Sequence, residues 1–124
     1  MPISYSIDTQ RRVILEVWVG DISANDLAEY WVAYLADPNV LSIRRTLVDL
    51  RKSRLHFSGV DLARLISAIV TPALQGRNWI TAIVVEREAQ FGVSRQYQVF
   101  AESYSHDAIF RDYDHALQWL LQQL

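Results

Sequence analysis

The sequence predicts an α/β fold of order ββαβαβαβα: a mainly parallel five-stranded sheet with an antiparallel N-terminal hairpin strand and four main helices. Three observations carry this. Short β-favouring runs alternate along the chain with stretches whose apolar residues recur every third or fourth position. Ser23 and Ser58 each precede an aspartate, Asp26 and Asp61, at the head of such a stretch, which is the pattern of a helix N-terminus. The first two strand-like runs adjoin across a short polar segment, as in a hairpin.

Ile3, Tyr5 and Ile7 share one face of a strand over residues 3–8, and Val13, Leu15, Val17 and Val19 alternate again after Asp8-Thr9-Gln10. Gly20-Asp21 is expected to end this second strand. The helix opened by Ser23 carries Leu27, Tyr30, Trp31, Tyr34 and Leu35 as its apolar stripe and stops at Asp37-Pro38, since proline disfavours helical backbone in the residue before it. Thr46 to Leu50 is a short strand buried on both faces, with Asp49 at its carboxyl end. A second helix follows Ser58, with Leu62, Leu65, Ile66, Ile69 and Ala73 inward and Pro72 kinking or ending it. Trp79 to Val85 reads as a central strand. Val93, Tyr97, Phe100, Ala101 and Tyr104 fit one face of a third helix starting near Gln90, and His106 to Phe110 a last strand. Asp112 caps a final helix whose stripe is Tyr113, Ala116, Leu117, Leu120 and Leu124.

At 124 residues, 51% apolar and 21% charged, the chain has the length and composition of one globular domain, taken to span residues 1–124. A formal charge of −2, with both signs interspersed, offers no footprint for nucleic acid. Cysteine is absent, which excludes disulfides and thiolate chemistry. No apolar stretch approaches the length of a spanning helix and no signal-like segment opens the chain, so a cytoplasmic protein without stable membrane insertion is expected.

Three segments resemble the SpoIIAA-like family, distant kin of the STAS domains of anti-sigma-factor antagonists and sulfate-transporter tails. They are Leu47-Val48-Asp49-Leu50, Phe91-Gly92 with Arg95, and Phe110-Arg111-Asp112 with Ala116, Trp119 and Leu120. Each is short, and the resemblance rests on them together with the element order. In the phosphorylatable antagonists it implies an Asp-Leu pair ending the third strand and an Asp-Ser-Ser-Gly segment opening the next helix. Asp49-Leu50 and Ser58-Gly59 stand at those places, which makes Ser58 a candidate phosphosite. Phe57 replaces the aspartate and Gly59 arrives one position early, so an N-cap role for Ser58 is favoured over a phospho-switch.

No catalytic constellation is legible. His56, His106 and His115 lack metal-ligand spacing, no serine occupies a nucleophile elbow, and no glycine-rich phosphate cradle follows a strand, so no metal or cofactor is expected. The stronger indication is topological, because strand carboxyl ends and the following helix N-termini share one edge of a parallel sheet. Asp49, Arg51, Ser58, Arg87, Arg95 and Arg111 are the candidate ligand or partner surface there, against the simpler reading of a solvated, mutually paired rim. Trp18 and Ile14 lie on the strand face opposite Val13 and Leu15, and either a helix of the same domain or a second subunit must cover them. The expectation is a non-enzymatic interaction or regulatory domain, homodimeric, with a regulatory protein partner. A carrier or sensor of a small apolar or lipid-like ligand is the alternative, motivated by the aromatic content.

Overall fold

The computed structural model describes residues 2–123. β1 (Ile3–Asp8) pairs antiparallel with β2 (Val13–Ser23). In the turn between them the Asp8 carboxylate accepts the Arg11 backbone N–H at 2.9 Å and its Nε at 2.6 Å, and Arg12 adopts φ 57°. β2 does not end at Gly20-Asp21. It passes through a register shift between Val17 and Val19, Gly20 takes φ 80°, and Gly20 to Ser23 pair in parallel with Ser53 to His56 of β3 (Arg45–His56). The polar stretch after Leu50 is therefore strand rather than loop. Local polarity misleads there because only one neighbour continues alongside: pairing of β3 with β4 (Trp79–Val84) stops at Asp49↔Val84, while pairing with β2 runs on. Asp49 accordingly lies within β3, at the end of its doubly paired part, and His56 is the last strand residue. β5 (Ser105–Phe110) pairs parallel with β4, giving the sheet order β1-β2-β3-β4-β5.

That order decides where the helices go. The parallel strands follow one another across the sheet in chain order, and right-handed crossovers that all step in one direction all fall on one face. α1 (Ala24–Leu35), the segment from α3 (Gly59–Leu65) through a π turn (Ile66–Val70) to α4 (Thr71–Leu74), and α5 (Glu88–Phe100) together bury the larger core, which contains Ile14, Trp18, Ile22, Leu50 and Ile83 of the sheet. Trp18 and Ile14 are thus covered within the chain. α6 (Tyr113–Leu121) covers the other face, where Ala116 and Leu120 pack with Val13, Leu47, Ala82 and Val84.

The stripe and both caps of α1 and α6 fall as the sequence predicts. Leu27, Tyr30, Trp31, Tyr34 and Leu35 are buried, Ser23 Oγ accepts the Asp26 N–H at 3.0 Å, and Asp112 Oδ2 accepts the His115 N–H at 2.8 Å. Leu124 lies outside the described residues. An unexpected short helix, α2 (Pro38–Ile43), follows α1, capped by Asp37 and closed by Arg44 at φ 62°. In the second crossover the fully buried residues are Leu62, Ile66, Val70 and Leu74, with Leu65, Ile69 and Ala73 only partly buried. The spacing of four reflects the wide π turn, which advances the inward face beyond the 3.6-residue period and lies directly before Pro72, where an ordinary turn would clash with the ring. α5 keeps its predicted face at Val93, Tyr97 and Ala101, which pack in or against the larger core, but not at Phe100. Phe100 is exposed, Tyr104 lies beyond the helix, and the buried residues of α5 are Gln90 and Ser94. At the other end of the sheet the Arg45 guanidinium donates to the Arg11 and Arg12 carbonyls and to those of Leu120 and Gln123, tying the hairpin turn to the end of α6.

Candidate functional site

Two places gather chemistry, the carboxyl edge of the sheet and a chamber beneath its helices. At the edge, the chain leaves β4 toward the α5 face and β5 toward the α6 face, so the loops part between these two strands. Arg111 fills the parting, donating to the Glu86 carbonyl at 3.2 Å and to Glu88 Oε1 at 3.3 Å, with its guanidinium 5.9 Å from the Phe91 ring centre. One strand over, Arg51 holds Asp49 through two bonds of 2.9 Å and lies 5.4 Å from the Tyr113 ring. Burial works to raise the Asp49 carboxyl, but the Arg51 bonds outweigh it and hold the group below the usual carboxylate range. Among the described residues Arg95 bonds only Gln98, at 3.3 Å. Of the six residues singled out from sequence, then, Asp49 and Arg51 pair with each other and Arg111 joins the β4–α5 loop. Among the described residues no hydrogen bond or ion pair links Ser58, Arg87 or Arg95 to the others.

Ser58 caps α3. Its Oγ accepts the Asp61 N–H at 3.0 Å, and Asp61 returns a bond from the Ser58 N–H at 3.2 Å. Ser58→Ala is expected to cost about 1 kcal/mol in urea unfolding, whereas Ser58→Asp keeps the acceptor and adds charge that the helix N-terminus favours. Equal losses in both would contradict a capping role.

The edge is organised by a residue that the sequence reading passed over. Gln90 is buried in the first turn of α5 and uses its whole amide: Oε1 accepts the Glu86 and Arg87 N–H groups at 2.8 and 3.0 Å, and Nε2 donates to the Leu50 and Ser53 carbonyls at 2.7 and 2.9 Å. The loop after β4 and the Leu50–Ser53 stretch of β3 are thereby locked to one side chain. The histidines take no such part. His56 pairs with Asp21 at 2.8 Å, His106 lies against Trp119 and His115 against Phe110. Among the described residues no group of three His, Asp or Glu side chains could hold a metal ion.

The chamber lies between β2, β3 and β4 and the helices of the larger core. It has a volume of about 70 Å³, and the aromatic side chains Trp18, Trp31, Trp79, Tyr34 and Tyr97 line it together with aliphatic ones such as Leu50, Leu62, Val70 and Ile83. Glu16 reaches it from β2. Fully buried, Glu16 accepts Trp18 Nε1 at 2.7 Å and the Tyr30 hydroxyl at 2.8 Å, both neutral donors. Burial pushes its carboxyl up to about 7 despite those two bonds. A second buried carboxyl, Asp107 on β5, has Oδ1 bonded by Ser105 at 2.6 Å and Oδ2 without a partner. Burial raises it to about 6 against the pull of the Ser105 and Thr81 hydroxyls. Strand alternation carried a signal for Glu16, since it falls between Ile14 and Trp18 on the inward face. The chamber holds about half the roughly 150 Å³ that admits benzene in an engineered cavity.

No family model matches this chain, and no curated protein does. Among solved structures it is similar to an uncharacterized protein of the DUF3478 family with a SpoIIAA-like fold from Shewanella loihica PV-4. The two share 20% sequence identity, the match covers 95% of this chain and 93% of that one, and the TM-score is 0.65. At that identity the likeness establishes a SpoIIAA-like fold and carries no function with it.

Proposed function

We propose, from the premise of a SpoIIAA-like fold, that the chain is a non-enzymatic regulatory domain that works through protein contacts at the carboxyl edge of its sheet. The observation that supports this is the composition of the edge. Phe91, in the first turn of α5, is 37% exposed beneath Arg111, and Val60, in the first turn of α3, is 67% exposed. Aromatic and apolar side chains beside arginine, on a rigid frame of helix starts, are what recognition surfaces are enriched in. Arg87 and Arg95, in no ion pair among the described residues, extend the same edge and favour an acidic partner. The test is recovery of partners from host lysate by the wild-type chain, Phe91→Asp and Arg111→Ala, with melting curves alongside. Both variants should stay within about 0.5 kcal/mol of wild-type stability, because the altered groups are exposed, and both should lose the partner. Unchanged recovery by both would remove the edge from consideration.

Self-association is the second reading, favoured by a different surface. Val17 and Val19 of β2 belong to neither core, and Val19 is 51% exposed on the hairpin. A two-fold pairing of that patch with itself is the expected arrangement. In sedimentation velocity at high micromolar concentration the wild type should run as a dimer and Val19→Lys as a monomer. A monomeric wild type would contradict it.

A further inference from the structure

Glu16 is the most unusual group in the molecule. A carboxyl inside a protein is ordinarily paired with a cation or hydrogen-bonded on every side, because an uncompensated buried charge is costly. Glu16 has one neutral bond on each oxygen, and no lysine, arginine or histidine lines the chamber it faces. The groups turned toward it are Tyr5 across from it on β1, Trp18 on its own strand, Tyr30 and Tyr34 on α1 and Tyr97 on α5, none of them positive. The surrounding walls hold three of the four tryptophans in the chain.

Space, aromatic walls and an uncompensated carboxylate are together the chemistry of an organic-cation site, since the faces of indole and phenol rings attract a positive charge that carries little hydration. We propose that the chamber binds a small alkylammonium ion, with Glu16 as its counter-charge and Trp18, Trp31, Trp79, Tyr34 and Tyr97 as its walls. The volume of about 70 Å³ selects methylammonium or dimethylammonium over tetramethylammonium. Simple metal cations are disfavoured because the lining is mostly rings and aliphatic side chains, with Glu16 its one carboxylate, short of the several oxygens such ions require. This site is separate from the carboxyl edge, and its failure would leave the reading of that edge unaffected.

The test is titration calorimetry of the full chain with methylammonium, dimethylammonium and tetramethylammonium chlorides. Sodium chloride and propanol serve as controls, and tryptophan emission is followed in parallel. Methylammonium or dimethylammonium should bind saturably and shift the emission, while sodium and propanol should do neither. Because the cation must displace the Glu16 proton at lower pH, affinity should fall about tenfold between about pH 8 and pH 6, with proton uptake by the buffer. Glu16→Gln should weaken binding at least about tenfold. If that variant proves unfolded, Trp31→Phe serves in its place, with a loss of several-fold. Binding of propanol as tight as that of the cations would overturn the proposal in favour of plain apolar filling. Affinity independent of pH, or no response of the folded wild type to any of the ammonium ions, would overturn it outright.

Discussion

Gln90→Leu is expected to remove about 3 kcal/mol of stability. Leucine fills nearly the same volume, so packing is not the cause. The loss lies in four backbone groups that the amide satisfies at once. The Ser53 carbonyl would be left buried without a donor, at about 1 to 2 kcal/mol, the Leu50 carbonyl would keep only the Ser53 hydroxyl, which donates to it at 2.7 Å, and the head of α5 would lose its cap, worth about 1 kcal/mol. Gln90→Glu separates the two halves of the amide. A carboxylate can still accept the Glu86 and Arg87 N–H groups but cannot donate to the carbonyls, and it is charged in a buried position, so it should be worse than leucine at neutral pH and recover as the carboxyl is protonated. Urea unfolding with unchanged m-values would measure this. A loss below about 1 kcal/mol for Gln90→Leu would mean that water replaces the amide and that the clamp is dispensable.

The second large effect is a pH dependence of reversed sign. Most carboxylates here with shifted values are held low: Asp8, Asp26, Asp37, Asp49 and Asp61 contribute stability above the ordinary carboxylate range that is lost as the pH falls below it. Glu16 works the other way. Its folded value of about 7 exceeds the ordinary 4.5, so the native chain holds a proton that the unfolded chain releases. Its contribution is full below about pH 4.5 and is lost as the pH rises through 7, by about 3 kcal/mol in total. Asp107, raised from 3.8 to about 6, adds a loss of the same sign over a slightly lower window. Stability should therefore peak in mild acid and decline toward neutrality. The neutral acid is well accommodated, because Trp18 Nε1 can only donate and fixes Oε2 as acceptor, leaving the proton on Oε1 to be donated to the Tyr30 oxygen. Glu16→Gln reproduces that arrangement. At about pH 8 it should exceed wild type by up to about 3 kcal/mol, and near pH 4.5 the two should converge. Parallel stability–pH curves for the two proteins would contradict the assignment.

Much of the fold was readable in the residues because local signals and tertiary demands agree. Ser23 and Ser58 stand where orphan helix N–H groups need an acceptor, and the α1 stripe of Leu27, Tyr30, Trp31, Tyr34 and Leu35 follows the helical period without interruption. Where the reading failed, a non-local partner had overridden a local preference. Arg51 to His56 have the polarity of a loop, yet they are strand because β2 continues beside them. Leu65, Ile69 and Ala73 fit a regular helix, but the π turn moves the inward face to Val70 and Leu74. Phe100 fits the inward face of α5 by hydrophobicity yet is exposed, while the polar Gln90 and Ser94 share the buried face with Tyr97 and Ala101. The candidate site was legible only as an edge. Which arginines pair, and with what, depends on where the loops part, and that follows from strand order, for which no local pattern codes.

The one-sided placement of the crossovers has a consequence for how the chain is made. As the polypeptide leaves the ribosome, each new strand finds its neighbour already in place, so the sheet can grow in step with synthesis and without long waits for distant partners. The larger core closes as it grows, each crossover helix arriving before the strand that follows it. Val13, Leu47, Ala82 and Val84, however, have no cover until α6 emerges after β5, and the four carbonyls gathered by Arg45 are brought together only then. A nascent chain halted before α6 would therefore present a nearly complete sheet with one bare apolar face, the kind of surface that chaperones hold and that sticks to its own kind.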